Sequence, residues 1–238
     1  MTSRQEGSPI CSVRRLFQLQ FGILFLALGL PVTWGQIVLD DFNRPNGSAP
    51  GENWTERAGS FVIQDNKLLG SSTSLMTWNG PSTTTVSFDL FHGDSGTQYG
   101  ALVLGYANLS NNLFVKVQDN GGGAAYDSVF FYYGNYGEAF GSEPVTSAVT
   151  PFVSGRVTLS LLGSVATIGI DTNFDGVAEQ SFKRFDVPTT KLGTGFGVGL
   201  YGSSAIDNFV AIPEPGVVPL LSLGVVGLVF ALRRRRKS

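Results

Sequence analysis

Asp171-Thr172-Asn173-Phe174-Asp175-Gly176 sets side-chain oxygens at the first, third and fifth positions of a short segment, with glycine at the sixth. Hard cations such as Ca²⁺ collect about six to eight oxygen ligands, and a glycine at that point permits the sharp turn that gathers them. The bidentate acid of such a loop belongs at the twelfth position, where Phe182 stands instead; Glu179, at the ninth, is the carboxylate left to contribute. The candidate calcium ligands are thus Asp171, Asn173, Asp175 and Glu179. A plain hairpin turn is the alternative, because Asn, Asp and Gly are what turns use.

Other chemistries find less support. Glycoside hydrolysis needs two carboxyl groups facing one cleft, yet Asp89, Asp94, Asp119, Asp127, Glu138 and Glu143 are scattered and mostly sit beside turn residues. No Glu-x-Asp-x-x-Glu spacing places alternate acids on one strand face. His92 is the single histidine and no Gly-x-Ser-x-Gly elbow accompanies it, which argues against a nucleophilic triad. Gly193, Gly195, Gly197 and Gly199 alternate with Phe196 and Val198. That reads as a strand with a small face and not as a phosphate-binding turn, which would need a helix after it.

Aromatic residues are the remaining signal. Tyr126, Phe130, Phe131, Tyr132, Tyr133, Tyr136 and Phe140 fall within fifteen residues. On a strand Phe131 and Tyr133 face one side while Phe130 and Tyr132 face the other. One set would fill a core, and the other would present flat rings to sugars. The candidate ligand-binding aromatics are Tyr126, Tyr132, Tyr133 and Tyr136, with cross-strand aromatic pairing as the structural alternative.

The elements that must position these groups are strands. Val86, Phe88 and Leu90 alternate with polar residues. Leu113, Val115 and Val117 do so against Asn112, Phe114, Lys116 and Gln118, and Val157, Leu159 and Leu161 lead through Gly163-Ser164 to Ala166, Ile168 and Ile170. Period-two runs bounded by Gly, Asn, Asp, Ser and Pro predict half-buried strands. Further strands are expected near 61–69, 98–106, 126–133, 178–185, 195–201 and 205–211. Ten or so strands without a sustained helical period imply an all-β sandwich or barrel.

Both ends of the chain differ from this middle. Arg14 and Arg15 precede an apolar run at 16–30, broken by Pro31, with Thr33 and Gly35 before a cut ahead of Gln36. Residues 1–35 therefore read as a signal peptide for the Sec machinery, with a retained N-terminal anchor as the alternative. At the other end, Pro213-Glu214-Pro215 leads into an apolar run at 217–232 and a basic cluster at 233–237. Sixteen helical residues span roughly 24 Å, short of the ~30 Å hydrocarbon core but within reach of snorkelling arginines and local thinning. The basic cluster predicts a cytoplasmic end, with everything before Pro213 outside. The only cysteine, Cys11, lies ahead of the apolar run, so the exported part would hold no disulfide.

Between these segments, the sandwich is left with eight bases against sixteen acids, since eight of the sixteen Lys and Arg but only Glu6 and Glu214 of the eighteen acids lie in the ends. A net charge of −8 with no basic stripe argues against nucleic acid as a partner.

The order Pro-Glu-Pro, short apolar helix and basic end over 212–238 resembles the PEP-CTERM sorting signal of Gram-negative bacteria. That resemblance implies cleavage by exosortase near Pro213, Glu214 and Pro215, a helix at 217–232 that anchors the precursor, and a destination at the cell surface or outside the cell, often beside exopolysaccharide. Asp40-Asp41-Phe42-Asn43-Arg44-Pro45-Asn46-Gly47-Ser48 with Asn53-Trp54-Thr55, and Gly197-Val198-Gly199-Leu200-Tyr201 with Ala205-Ile206-Asp207-Asn208-Phe209-Val210, resemble the opening and closing strands of concanavalin A-like (laminin-G-like) jelly rolls. They imply that 36–211 is an antiparallel two-sheet sandwich whose ends pair. The expected role is non-catalytic, glycan-binding or matrix-forming, with calcium as the candidate cofactor. The alternatives are a glycan-active hydrolase on the same fold and a structural surface protein without a ligand.

Overall fold

The computed structural model describes residues 36–94, 96–134 and 145–213. The signal at 1–35, Glu214, Pro215, the helix expected at 217–232 and Tyr136 lie outside the described residues. Among the described residues no helix is long and apolar enough to cross a membrane, and a 3₁₀ turn at Thr189–Lys191 is the helical element.

Two antiparallel sheets face each other. The first runs β13 (Gln180–Arg184), β12 (Val165–Asp171), β11 (Ser154–Leu162), β6 (Thr83–Phe91), β15 (Ala205–Pro213), β4 (Lys67–Gly70) and β3 (Phe61–Gln64), with β1 (Ile37–Asp40) also paired to β15. The second runs β10 (Val145–Phe152), β9 (Tyr126–Tyr133), β8 (Asn111–Asp119), β7 (Gln98–Asn108), β14 (Gly195–Tyr201), β5 (Ser74–Trp78) and β2 (Trp54–Ala58). Period-two alternation explains which faces meet. Val86, Phe88 and Leu90 of β6 and Val157 and Leu159 of β11 pack against Leu113, Val115 and Val117 of β8 and Val129 and Phe131 of β9 in one buried core. Each such side chain contributes about 1.5–3 kcal/mol through burial.

The hairpin read at Gly163-Ser164 is present, with Leu162 opposite Val165. The single strand expected over 61–69 is instead two, β3 and β4. Asp65 and Asn66 turn between them at φ of 52° and 57°, a left-handed pair that matches the twist of a two-residue hairpin. Strands β1, β2, β5 and β10 were not expected as strands from the alternation.

The two ends of the sandwich do pair, with Ile37 opposite Ala211 and Val38 opposite Val210. The buried Asp40 carboxylate then fixes the path of the chain beyond β1. It accepts from the Phe42 backbone N–H at 2.8 Å, from Arg44 Nη2 at 2.9 and 2.7 Å, and from Trp54 Nε1 at 2.7 Å. Phe42 takes a φ of 49° to do so and is fully buried, stacked 6.1 Å from Trp54. The Asp-x-Phe-x-Arg and Trp signature of Asp40, Phe42, Arg44 and Trp54 is therefore structural. Asp40→Ala leaves buried donors unpaired; the expected result is a loss of about 3 kcal/mol in urea unfolding, with Arg44→Ala costing less because Arg44 is partly exposed.

Candidate functional site

Strand register fixes which side chains share the outer face of the second sheet. One row across it carries Phe130, Lys116, Ala101, Gly199 and Leu75. Its neighbours carry Tyr132, Phe114, Val103 and Gly197 on one side and Ser128, Gln118, Tyr99 and Tyr201 on the other. An outer sheet face normally meets water with polar side chains. The first sheet obeys this, presenting Thr85, Ser87, Asp89, Arg156, Thr158 and Ser160. The second does not: Leu75, Tyr99, Ala101, Val103, Phe114, Phe130 and Tyr132 form an apolar cluster separate from the core between the sheets.

The rings of this face form a connected lane. Phe130 and Tyr132 stack at 6.1 Å and 20°, Phe114 meets Tyr132 edge-on at 6.4 Å, and Tyr99 stacks on Tyr201 at 5.5 Å and 17°. Gly199 is required beneath it, since a Cβ there would come within 2.7 Å of the Phe114 ring. Lys116 stands in the middle, its Nζ 5.1 Å from the Tyr99 ring centre, 4.8 Å from Phe130 and 4.9 Å from Tyr132. Burial lowers the ammonium to about 8, against the pull of the ring faces, which favour the charged form. Tyr201 is the ring most open to solvent, 38 % exposed, whereas Tyr132 is 6 % exposed.

The four tyrosines expected from sequence separate. Tyr132 lies in the lane, and its hydroxyl is pushed up by burial. Tyr133 points to the inner side, donates to Asn111 Oδ1 at 2.8 Å and packs on the core. Tyr126 is a correction. Strict alternation would group it with Phe130 and Tyr132, but Tyr126 is fully buried between the sheets. Its hydroxyl bonds the Phe91 carbonyl at 2.9 Å and Ser204 Oγ at 2.7 Å. Tyr99, Tyr201 and Lys116 were missed; the signal was Phe114, an aromatic on the otherwise polar face of β8.

His92 also has a structural setting. Its Nε2 lies 3.1 Å from Asp119 Oδ2 and its Nδ1 2.9 Å from the Gly93 carbonyl. Burial alone would raise the Asp119 carboxyl, but the Gly123 N–H and the imidazole outweigh it and hold the group below its usual value. Ser204 Oγ has Tyr126 and Gln98 Oε1 as partners, at 2.7 and 3.3 Å, and no bond to the imidazole. A cleft of about 210 Å³ is lined by Ser82, Thr83, Thr84, Leu104, Thr189 and Leu192 among others, none of them titratable. Neither this cleft nor the three rows of the outer face contain a carboxylate.

The acidic loop does converge. Carboxylate oxygens of Asp171, Asp175 and Glu179 lie within 4.8 Å of one another. Asp171 Oδ2 accepts from Gly176 N at 2.8 Å, Asn173 Oδ1 from Asp175 N at 2.9 Å, and Asp175 Oδ1 from Val177 N at 2.8 Å. Glu179 Oε2 returns to Thr172 N at 2.7 Å.

No protein-family model matches the chain, and no curated protein matches its sequence. Solved structures do resemble its fold. A glycosyl hydrolase family protein from Mycobacterium fortuitum is 14 % identical at a TM-score of 0.50, covering 74 % of this chain and 99 % of that one. A carbohydrate-binding module, CBM66 from Bacillus subtilis, is 15 % identical at 0.46, covering 68 % and 96 %. Lectin II from Ulex europaeus is 11 % identical at 0.42, covering 70 % and 93 %. At such identities the likeness extends to the fold, an all-β antiparallel sandwich that fits a jelly roll, and that fold hosts many functions.

Lys116 offers a pH test of the lane. Its folded value lies below the ~10.4 of an unfolded lysine, so between about 8 and 10.4 the folded state binds fewer protons and stability rises with pH. Lys116→Met removes this slope. In urea unfolding the variant is expected to exceed the wild type at pH 7, and the gap to narrow as pH climbs from 8 towards 10.

Proposed function

We propose that the outer face of the second sheet binds glycan without cleaving it. The observation that carries this is the contrast between the two outer faces, one polar and one a lane of aromatic rings about an ammonium. Tyr201, 38 % exposed and stacked on Tyr99, is the ring of the lane that solvent reaches, and an aromatic ring offers a flat face to the C–H face of a sugar. Gln118, on the same face of β8 as Lys116, adds a side-chain amide beside the rings, its Nε2 donating to Asn120 Oδ1 at 3.2 Å. A hydrolase would need paired carboxylates, and the rows of this face offer none.

The two chain ends supply the setting. Residues 1–35 direct export by the Sec machinery, and 212–238 form a sorting signal for exosortase, with 217–232 holding the precursor in the membrane. Strand β15 ends at Pro213, so a cut beyond it leaves the paired strands intact. The mature protein would then act at the cell surface or outside a Gram-negative cell, with exopolysaccharide as the natural class of ligand.

Binding of the full chain to an array of bacterial and plant polysaccharides tests this. Selective binding is expected, weakened about tenfold, or 1.4 kcal/mol, by Tyr201→Ala and by Tyr132→Ala. Affinity unchanged in both variants, or release of reducing sugar from the bound polymer, would sink the proposal.

A further inference from the structure

Four carboxylates among the described residues are buried: Asp40, Asp89, Asp119 and Asp171. Three have ionic partners, Asp40 with Arg44 at 2.7 Å, Asp89 with Arg156 at 2.8 Å and Asp119 with His92 at 3.1 Å. Asp171 has none. It is only 5 % exposed, and its Oδ1 is buried without a hydrogen-bond partner. Arg156 stands opposite it on β11 but directs Nε and Nη2 to Asp89, at 2.8 and 3.1 Å. A buried carboxylate oxygen left unpaired is costly, so it calls for a ligand.

The ligand's direction is set by the other oxygen of the same group. Asp171 Oδ2 is held inside the β12–β13 loop by Gly176 N, and oxygens from Asp175 and Glu179 come within 4.8 Å of the Asp171 group. Three carboxylates that close, with no salt bridge to any of them among the described residues, repel one another, and a cation between them would relieve that repulsion. The connection is also longer than a hairpin requires, since two to five residues suffice, and eight separate Asp171 from Gln180.

We propose that this loop is a calcium site. Asp171 Oδ1, Asn173 Oδ1, a carboxylate oxygen of Asp175 and one of Glu179 are its side-chain ligands. The backbone carbonyl of Val177, next in the odd-numbered series, adds a further oxygen, and water completes the shell. All-oxygen donors with several carboxylates suit Ca²⁺; Mg²⁺ demands a tighter octahedron and gives up its water reluctantly. The site is independent of the aromatic lane, and glycan binding is not needed for it.

Calcium bound only by the folded state raises the melting temperature by mass action. At about one hundred times the Kd, the shift is roughly 5–10 °C for a domain of this size. The test is calorimetric melting of the full chain in EDTA, in millimolar CaCl₂ and in millimolar MgCl₂. A second arm uses Asp175→Asn with Glu179→Gln, exposed substitutions that keep an acceptor oxygen at each position. The wild type is expected to shift with calcium and not with magnesium, and the double variant to melt close to the wild type in EDTA but lose the calcium shift. No calcium shift in the wild type, an equal shift with magnesium, or a calcium shift that survives in the double variant would each overturn the assignment.

Discussion

The buried Asp40 carboxylate is the contact on which the closure of the sandwich depends. It lies at the end of β1, which pairs with the last described strand, β15. Its oxygens hold Phe42, Arg44 and Trp54 together. Through Trp54 it reaches β2 at the edge of the other sheet, where Trp54 stands opposite Trp78 and 5.0 Å from Phe209 of β15. One charge thus joins the two ends of the sandwich and both sheets. Its burial is tolerable because the carboxylate's lone pairs are met by four donor contacts. Phe42 is held at a φ that a bulky residue rarely takes, and full burial of its ring offsets that cost.

Much of the sandwich was legible because alternation is a direct record of burial. Val86, Phe88 and Leu90 on β6, and Leu113, Val115 and Val117 on β8, stand inward as the period-two pattern requires. The hairpin at Gly163 followed from its turn residues. Other strands were harder. β2 carries Thr55, Glu56 and Arg57 between its ends, and β10, Val-Thr-Ser-Ala-Val-Thr-Pro-Phe, includes a proline. Their pairing is decided by tertiary partners, which local pattern does not encode. At 61–69 the strand-like residues lie on both sides of Asp65-Asn66, and the turn was hidden between them.

The candidate site was legible in part for a related reason. Parity alone placed Phe130 and Tyr132 on one face, and they lie there. Tyr126 departs from that parity and packs into the core between the sheets, with no cue to this in β9's own alternation. Tyr99 and Tyr201 come from strands 102 residues apart in the chain, and only the β7–β14 register sets them side by side. Spacing could reveal the acidic loop, whose carboxylates lie within nine residues. It could not reveal the aromatic lane, whose members are neighbours only across strands.

The loop and the lane occupy different sheets, yet the fold ties them. Gln180, immediately after Glu179, reaches across to the other sheet, where Thr150 N donates to Gln180 Oε1 at 2.7 Å and Gln180 Nε2 donates to the Thr150 carbonyl at 3.2 Å. Thr150 belongs to β10, which pairs with β9, the strand that carries Phe130 and Tyr132. Both β13 and β10 are edge strands, and an edge lacks the second ladder that fixes an interior strand. The two side-chain bonds of Gln180 supply part of that missing constraint to both edges at once. The conformation of the loop and the position of the lane's outer strand therefore share a mechanical support, although neither site supplies a ligand to the other.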